Sequence, residues 1–200
     1  MLIIGAKGFA KEVLEILHQN GQTENLCFYD DVNDDWPEKL FGQFPILRTI
    51  EEAKTYFNQT SNQFVLGIGN PFLRKKLCDK FESIGGELSS VISKHAEIGS
   101  FGIQISSGCN ILSGVKISND VAIGKGTMAY YNSVITHDVT IGEFCEISLI
   151  IEGIHCSACV WLNEKVLSKQ EGIVEVSINY SNHKAKILWD AESIKLSHII

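Results

Sequence analysis

From Ile105 onward an aliphatic or small residue occupies every sixth position: Ile105, Ile111, Ile117, Ile123, Ala129, Ile135, Ile141 and Ile147. Three positions after the members of this series stand Gly108, Gly114, Asp120, Gly126, Asn132 and Asp138, residue types that tolerate the left-handed backbone of a tight corner. Two positions before them come small or β-branched residues such as Val115, Val121, Thr127, Ser133 and Val139. This repeat predicts a parallel β-helix, with each short strand on one face of a triangular prism and the aliphatic side chains stacked inward. At three hexapeptides to a turn, about three turns fit. A less regular lead-in at Ile92 and Ile98 is offset by one residue, which places a bulge or loop near Phe101-Gly102. The rule fails after Ile147.

Residues 1–90 follow another pattern, in which strand-like and helix-like stretches alternate as in a small α/β domain. Leu2-Ile3-Ile4 reads as a buried strand, and Gly5-Ala6-Lys7-Gly8 turns into a helix from Phe9 to His18 with Val13, Leu14, Ile16 and Leu17 on one face. Leu26-Cys27-Phe28-Tyr29 is a second strand, ending in Asp30-Asp31. Phe64 to Gly69 is a third, followed by a helix from Pro71 to Ser83. In a parallel sheet ligands gather at the carboxyl ends of strands, where helix N-termini offer free N–H groups to a phosphate. Gly5, Gly8, Asp30, Asp31, Gly69 and Asn70 fall at that edge. Two readings stay open for the glycines, a purely structural turn and a nucleotide or nucleotide-sugar site. Lys7 stands where a dinucleotide fingerprint needs glycine. Asp30 and Asp31 are equally compatible with ordinary turn residues.

Gly5-Ala6-Lys7-Gly8-Phe9-Ala10-Lys11-Glu12, Gly67-Ile68-Gly69-Asn70 with Arg74, and the hexapeptides containing Thr136-His137-Asp138 together resemble the sugar O- and N-acetyltransferases of the sialic-acid and bacillosamine type. The resemblance covers residues 1–148. It implies an α/β domain that holds a nucleotide-activated sugar, such as a UDP-amino sugar or a sialic-acid-type sugar. It also implies a left-handed β-helix whose homotrimer binds acetyl-CoA between neighbouring subunits. Lys7, Gly8 and Phe9 match the substrate-phosphate loop, with Gly69 and Asn70 at the same edge. Asp30 and Asp31 match the acidic pair beside the nucleoside, and His137 matches the catalytic base. Glu146 stands where the family often carries a histidine near the coenzyme. The chemistry agrees, because an attacking amine or hydroxyl must lose a proton to a group that titrates near neutrality, and Asp138 offers that group a carboxylate partner. A solvated corner residue is the alternative for His137.

After Ser148 come a short apolar stretch and Gly153-Ile154-His155-Cys156-Ser157-Ala158-Cys159, then a helix from Cys159 to Lys169 and a hairpin of Gly172 to Tyr180 with Lys184 to Asp190. This segment resembles heavy-metal-associated domains, especially the amino-terminal module of copper-transporting P-type ATPases, with Ile154 in place of methionine. The resemblance implies a ferredoxin-like βαββα module, truncated before its last strand. Two cysteines separated by two residues at a helix start can place both sulfurs on one ion, and the helix N-terminus favours their thiolates. Soft thiolates suit Cu(I), with zinc or another soft ion possible. A redox pair and two buried cysteines are the alternatives. His155, His183 and His198 read as exposed positions.

With 200 residues, 44% of them hydrophobic, core material is ample. A net charge of −7 with scattered Lys and Arg argues against nucleic-acid binding. Met1-Leu2-Ile3-Ile4 is too short for a signal peptide, and no stretch approaches the ~20 apolar residues of a membrane span. The expectation is a cytoplasmic chain without membrane insertion, so Cys27, Cys78, Cys109 and Cys145 are expected as reduced, small apolar fillers. The expected domains are residues 1–90, 91–148 and 149–200, the last two truncated. Natural fusions usually keep each domain whole and connect them flexibly. Two cut-short patterns meeting without a linker therefore point to a chimera. An acetyltransferase and a non-enzymatic copper module are the two functions in competition.

Overall fold

Leu2, Ile3 and Ile4 offer no polar side to water, and they form the fully buried strand β1 (Leu2–Ile4) at the middle of a sheet. The computed structural model describes residues 1–33, 37–147, 157–179 and 184–189. Two compact units divide the chain, Met1–Ser148 and Leu149–Ile200. After β1 come α1 (Gly8–Gln19), β2 (Cys27–Tyr29), β3 (Lys39–Leu40), β4 (Phe44–Leu47), α2 (Ile50–Gln59), β5 (Gln63–Leu66), α3 (Pro71–Glu82) and β6 (Glu87–Leu88). The strand order is β3-β4-β2-β1-β5-β6, parallel except for the antiparallel pair β3–β4. On one sheet face α1 packs Ala10, Val13, Leu14 and Leu17 with Ile3, Phe28 and Val65. On the other, Ala53 and Phe57 of α2 and Cys78 and Phe81 of α3 join Leu2, Ile4, Phe64 and Leu66.

The pair β3–β4 and the helix α2 lie outside the elements anticipated above. The local signal for α2 is a capping box: Thr49 accepts from the Glu52 N–H at 3.2 Å, and the Glu52 carboxylate accepts from the Thr49 N–H at 3.0 Å. The cysteine expectation fits the packing, since Cys27, Cys78 and Cys109 are buried and Cys145 is half-buried. Burial, the largest influence, pushes the Cys27 thiol up to about 12 and the Cys78 thiol up to about 11, so both stay protonated and inert.

The hexapeptides form two-residue strands: β7 (Val91–Ile92), β8 (Glu97–Ile98), β9 (Gln104–Ile105), β10 (Asn110–Ile111), β11 (Lys116–Ile117), β12 (Ala122–Ile123), β13 (Met128–Ala129), β14 (Val134–Ile135), β15 (Thr140–Ile141) and β16 (Glu146–Ile147). They stack as three parallel sheets, β7-β10-β13-β16, β8-β11-β14 and β9-β12-β15, which is the layout of a three-faced β-helix. Register sets Ile92 beside Ile111 and Ile111 beside Ala129, so the aliphatic series stacks as anticipated. The step from Ile98 to Ile105 holds one residue more than the others. The surplus lies near Ser100–Gly102, where Gly102 takes φ +65° beneath Asp120.

Every corner residue named from the sequence has positive φ: Gly108, Gly114, Asp120, Gly126, Asn132 and Asp138. Phe144 also does, at φ 52°, although its residue type did not mark it. Packing overrides the local preference there. The Phe144 ring lies over Gly126, where an added Cβ would meet it at 2.4 Å, and Lys75 Nζ stands 5.7 Å from its centroid.

Arg74 of α3 is fully buried and binds main-chain carbonyls of both parts of this unit. Its guanidinium donates to Ile68 O at 2.9 Å and Leu66 O at 3.3 Å beside β5, and to Gly126 O at 2.8 and 3.0 Å and Gly108 O at 3.4 Å at the β-helix corners. Asn110 adds a bond from Nδ2 to Leu66 O at 2.7 Å. Burial, the largest influence, lowers the guanidinium to about 10, with the nearby Glu146 carboxylate acting the other way, so it remains a cation at neutral pH.

In the second unit, α4 (Ser157–Leu167) precedes the antiparallel hairpin β17 (Ile173–Asn179) and β18 (Lys184–Trp189). The helix starts and ends two residues earlier than the anticipated Cys159 to Lys169. The stretch from Leu149 to Cys156, His183 and the segment from Ala191 to Ile200 lie outside the described residues. Among the described residues, no helix is long and apolar enough to cross a membrane.

Replacing Arg74 by methionine should destabilise residues 1–148 by about 3–5 kcal/mol, because buried carbonyls lose their donors. Urea unfolding followed by far-ultraviolet circular dichroism measures this, and a loss below about 1 kcal/mol would contradict the bridging role.

Candidate functional site

The sheet order puts β1 between β2 and β5, so the chain winds outward in opposite directions from β1. The crevice between the loops after β1 and β5 is therefore the topological switch point, where open α/β sheets bind ligands. Gly5, at φ +99°, lets its N–H reach Tyr29 O at 2.8 Å. An added Cβ there would meet Ile68 Cδ1 at 2.7 Å, and one on Gly67 would meet Ala10 Cβ and Ile3 Cγ2 at 2.8 Å. Gly5 thus lets the two loops touch, and Gly67 lets α1 and β1 close on the β5 end.

Gly8 and Gly69 differ, because a Cβ on either would meet nothing within 4 Å. They leave the α1 N-terminus and the β5 loop open to the close approach of a ligand. Lys7 is exposed at the N-cap of α1 and contributes no side-chain cap, so first-turn N–H groups remain for an anion. Asn70 caps α3 instead, its Oδ1 accepting from the Leu73 N–H at 3.0 Å. Lys7, Gly8, Phe9, Gly69 and Asn70 are thus brought to one edge.

The acidic pair at the end of β2 has partners of its own. Asp30 Oδ1 accepts from the N–H groups of Val32 and Asn33 at 3.1 Å, and both its oxygens accept from Asn33 Nδ2. Its carboxylate closes a turn. Asp31 is held by Lys80 Nζ of α3 at 3.0 Å and by the Tyr29 hydroxyl at 2.8 Å. Burial would raise its carboxyl, but the bonds from Lys80 and Tyr29 outweigh that and hold it below the usual range. Lys80 is the residue at this edge that sequence reasoning missed. No local pattern marks a contact across 49 positions.

His137 follows β14 at the corner leading to β15. Its Nδ1 lies 2.6 Å from Asp138 Oδ2, with both side chains 75% exposed. The φ of +59° at Asp138 turns its carboxylate back onto the preceding imidazole. An open groove of about 560 Å³ runs from this ring along the face formed by β8, β11 and β14. Ile98, Ile117 and the exposed Val134 line it, with the Lys116–Glu97 ion pair at 2.8 Å. Glu146 lies on a different face, beside Met128 of β13. Its carboxylate stabilises the charge on Arg74.

Comparisons with known proteins match these two ends of the chain separately. Residues 1–81 match the PglD N-terminal domain family. Residues 148–200 match the heavy-metal-associated domain family. A GDP-perosamine N-acetyl transferase from Caulobacter crescentus, solved with CoA and GDP-perosamine, is 27% identical with a TM-score of 0.64, over 72% of this chain and 66% of that one. PerB from the same organism, also with CoA and GDP-perosamine, is 26% identical with a TM-score of 0.62 over the same shares. WeeI from Acinetobacter baumannii AYE is 25% identical with a TM-score of 0.61, over 74% of this chain and 72% of that one. The chain thus spans about two thirds of the length of the Caulobacter structures, 66%. The PglD-type domain followed by a β-helix resembles sugar acetyltransferases, and the remainder resembles heavy-metal-associated domains.

Proposed function

We propose that residues 1–148 are the core of an acetyl-CoA-dependent acetyltransferase acting on a nucleotide-activated amino sugar, of the UDP or GDP kind, with His137 as general base. The observation that carries this reading is the His137–Asp138 pair, 2.6 Å apart, at the corner of a β-helix joined to an open glycine edge. The Caulobacter structures, which hold CoA and GDP-perosamine, support the substrate class.

In this mechanism the phosphates lie against the N–H groups of the α1 first turn beside Lys7, Gly8 and Phe9. Gly69 and Asn70 border the opposite side, with Asp30 and Asp31 next to the nucleoside. Asp138 accepts a hydrogen bond from the Nδ1–H of His137, which leaves the Nε2 lone pair free. The sugar amine attacks the thioester carbonyl of acetyl-CoA and forms the C–N bond, and Nε2 takes the amine proton. The tetrahedral intermediate then expels the CoA thiolate, to which the imidazolium returns the proton.

The β-helix is left-handed in this reading, and three copies assemble so that the groove beside His137 meets a neighbouring subunit with acetyl-CoA between them. The regular hexapeptides end at Ile147 and the heavy-metal-associated match begins at residue 148, which supports reading the chain as a chimera; in this reading its catalytic turnover is impaired. His137→Ala should lower kcat by about 10²–10⁴-fold while the nucleotide sugar still binds. Asp138→Asn, which keeps a residue tolerant of positive φ, should lower kcat while retaining the fold. A coupled assay for released CoA thiol checks both, and full activity in His137→Ala would remove the base assignment.

A second reading rests on the family match at residues 148–200. Cys156 lies outside the described residues, and Cys159 falls within α4. A pair of thiolates two residues apart suits a soft ion, so these cysteines would hold Cu(I), with zinc as competitor. Titration with Cu(I) against a chelator should show one equivalent bound, lost in Cys156→Ser. Equal binding by both proteins would exclude the site.

A further inference from the structure

The steps above leave unused a hydrogen bond that joins the PglD-type domain to the β-helix. The Tyr130 hydroxyl donates to Glu12 Oε1 at 2.8 Å across 118 positions of sequence. Glu12 lies in the first half of α1, the helix whose N-terminus carries Lys7, Gly8 and Phe9. Tyr130 follows β13, at the corner that opens into β14 and leads to His137. The Phe9 ring lies 6.4 Å from that of Tyr130, and Tyr131 stands edge-on to Tyr130 at 5.0 Å.

The far end of α1 is fastened separately. Asn20 Nδ2 donates to Ile92 O at 2.9 Å, and Lys94 Nζ donates to Gln19 O at 2.9 Å. At the near end Lys7 supplies no side-chain cap, so local capping does not fix the first turn. The Glu12 carboxylate has its second oxygen, Oε2, buried without a hydrogen-bond partner, and its hold therefore depends on the tyrosine. Burial first, then the neighbouring Glu12 carboxylate, pushes the Tyr130 hydroxyl up to about 12, so it remains a donor throughout the neutral range.

We propose that Glu12 and Tyr130 are positioning residues that set the near end of α1 against the β-helix wall and thereby fix the glycine loop for its ligand. With Asn20 and Lys94 at the far end, α1 becomes a strut attached at two points. The consequence for nucleotide-sugar binding rests on the function proposed above, whereas the effect on the loop follows from geometry alone.

The test uses the full chain with Tyr130→Phe and Glu12→Gln. Hydrogen exchange read by mass spectrometry should show the hydrogen-bonded amides that bound the glycine loop, those of Gly5 and residues 11–14, exchanging roughly tenfold faster in Tyr130→Phe, with β1 and β2 unchanged. Glu12→Gln keeps an acceptor oxygen and should stay close to the parent. KM for a UDP- or GDP-amino sugar should rise roughly tenfold in Tyr130→Phe, with KM for acetyl-CoA unaltered. Unchanged loop exchange in Tyr130→Phe, or a uniform increase across the whole unit, would overturn the positioning role. Faster loop exchange in a chain whose parent binds no nucleotide amino sugar would uphold that role and remove the substrate assignment.

Discussion

The guanidinium of Arg74 is the contact on which residues 1–148 depend. It is buried among carbonyls of Leu66 and Ile68 on one side and Gly108 and Gly126 on the other. A planar group with five N–H donors can satisfy several carbonyls at once, which a lysine ammonium cannot do in the same geometry. The glycine corners matter here as well, because Gly126 lies beneath the Phe144 ring and presents its carbonyl to Arg74. The α/β sheet and the β-helix consequently meet through a polar joint enclosed by apolar packing.

That joint separates two chemistries that the proposed acetyl transfer would combine. At the switch point, Gly5 brings the loops into contact and Gly67 lets α1 close on the β5 end, while Gly8 and Gly69 keep the surface open. At the β-helix corner, the positive φ of Asp138 turns its carboxylate back onto His137. In the proposed mechanism the first arrangement would bind by backbone N–H groups and the second would accept a proton. The loop that would hold the nucleotide and the corner that would do the chemistry are carried by one compact unit, Met1–Ser148.

The six-residue period made the β-helix legible down to individual corners, because a left-handed backbone selects glycine, asparagine and aspartate. Phe144 escaped that rule since its conformation is imposed by tertiary packing. The glycine turn after β1 and the His137–Asp138 corner also carry local motifs. Lys80 with Asp31, Arg74 with Gly126, and Glu12 with Tyr130 were not, because each pairs residues far apart in sequence through side-chain geometry. Asp30 was legible only as a carboxylate after a strand. Its carboxylate accepts from Asn33 within the turn, a partner that no local pattern marked.

Gly8 offers the most direct test of the central claim that the edge of β1 and α1 receives a nucleotide-activated amino sugar. A Cβ there would meet nothing within 4 Å, so Gly8→Val should fold as the parent does while covering the α1 N-terminus. Calorimetric titration with UDP- and GDP-amino sugars should show one equivalent binding to the parent and none to Gly8→Val at an unchanged unfolding temperature. No binding to the parent, or equal binding to both, would contradict the account.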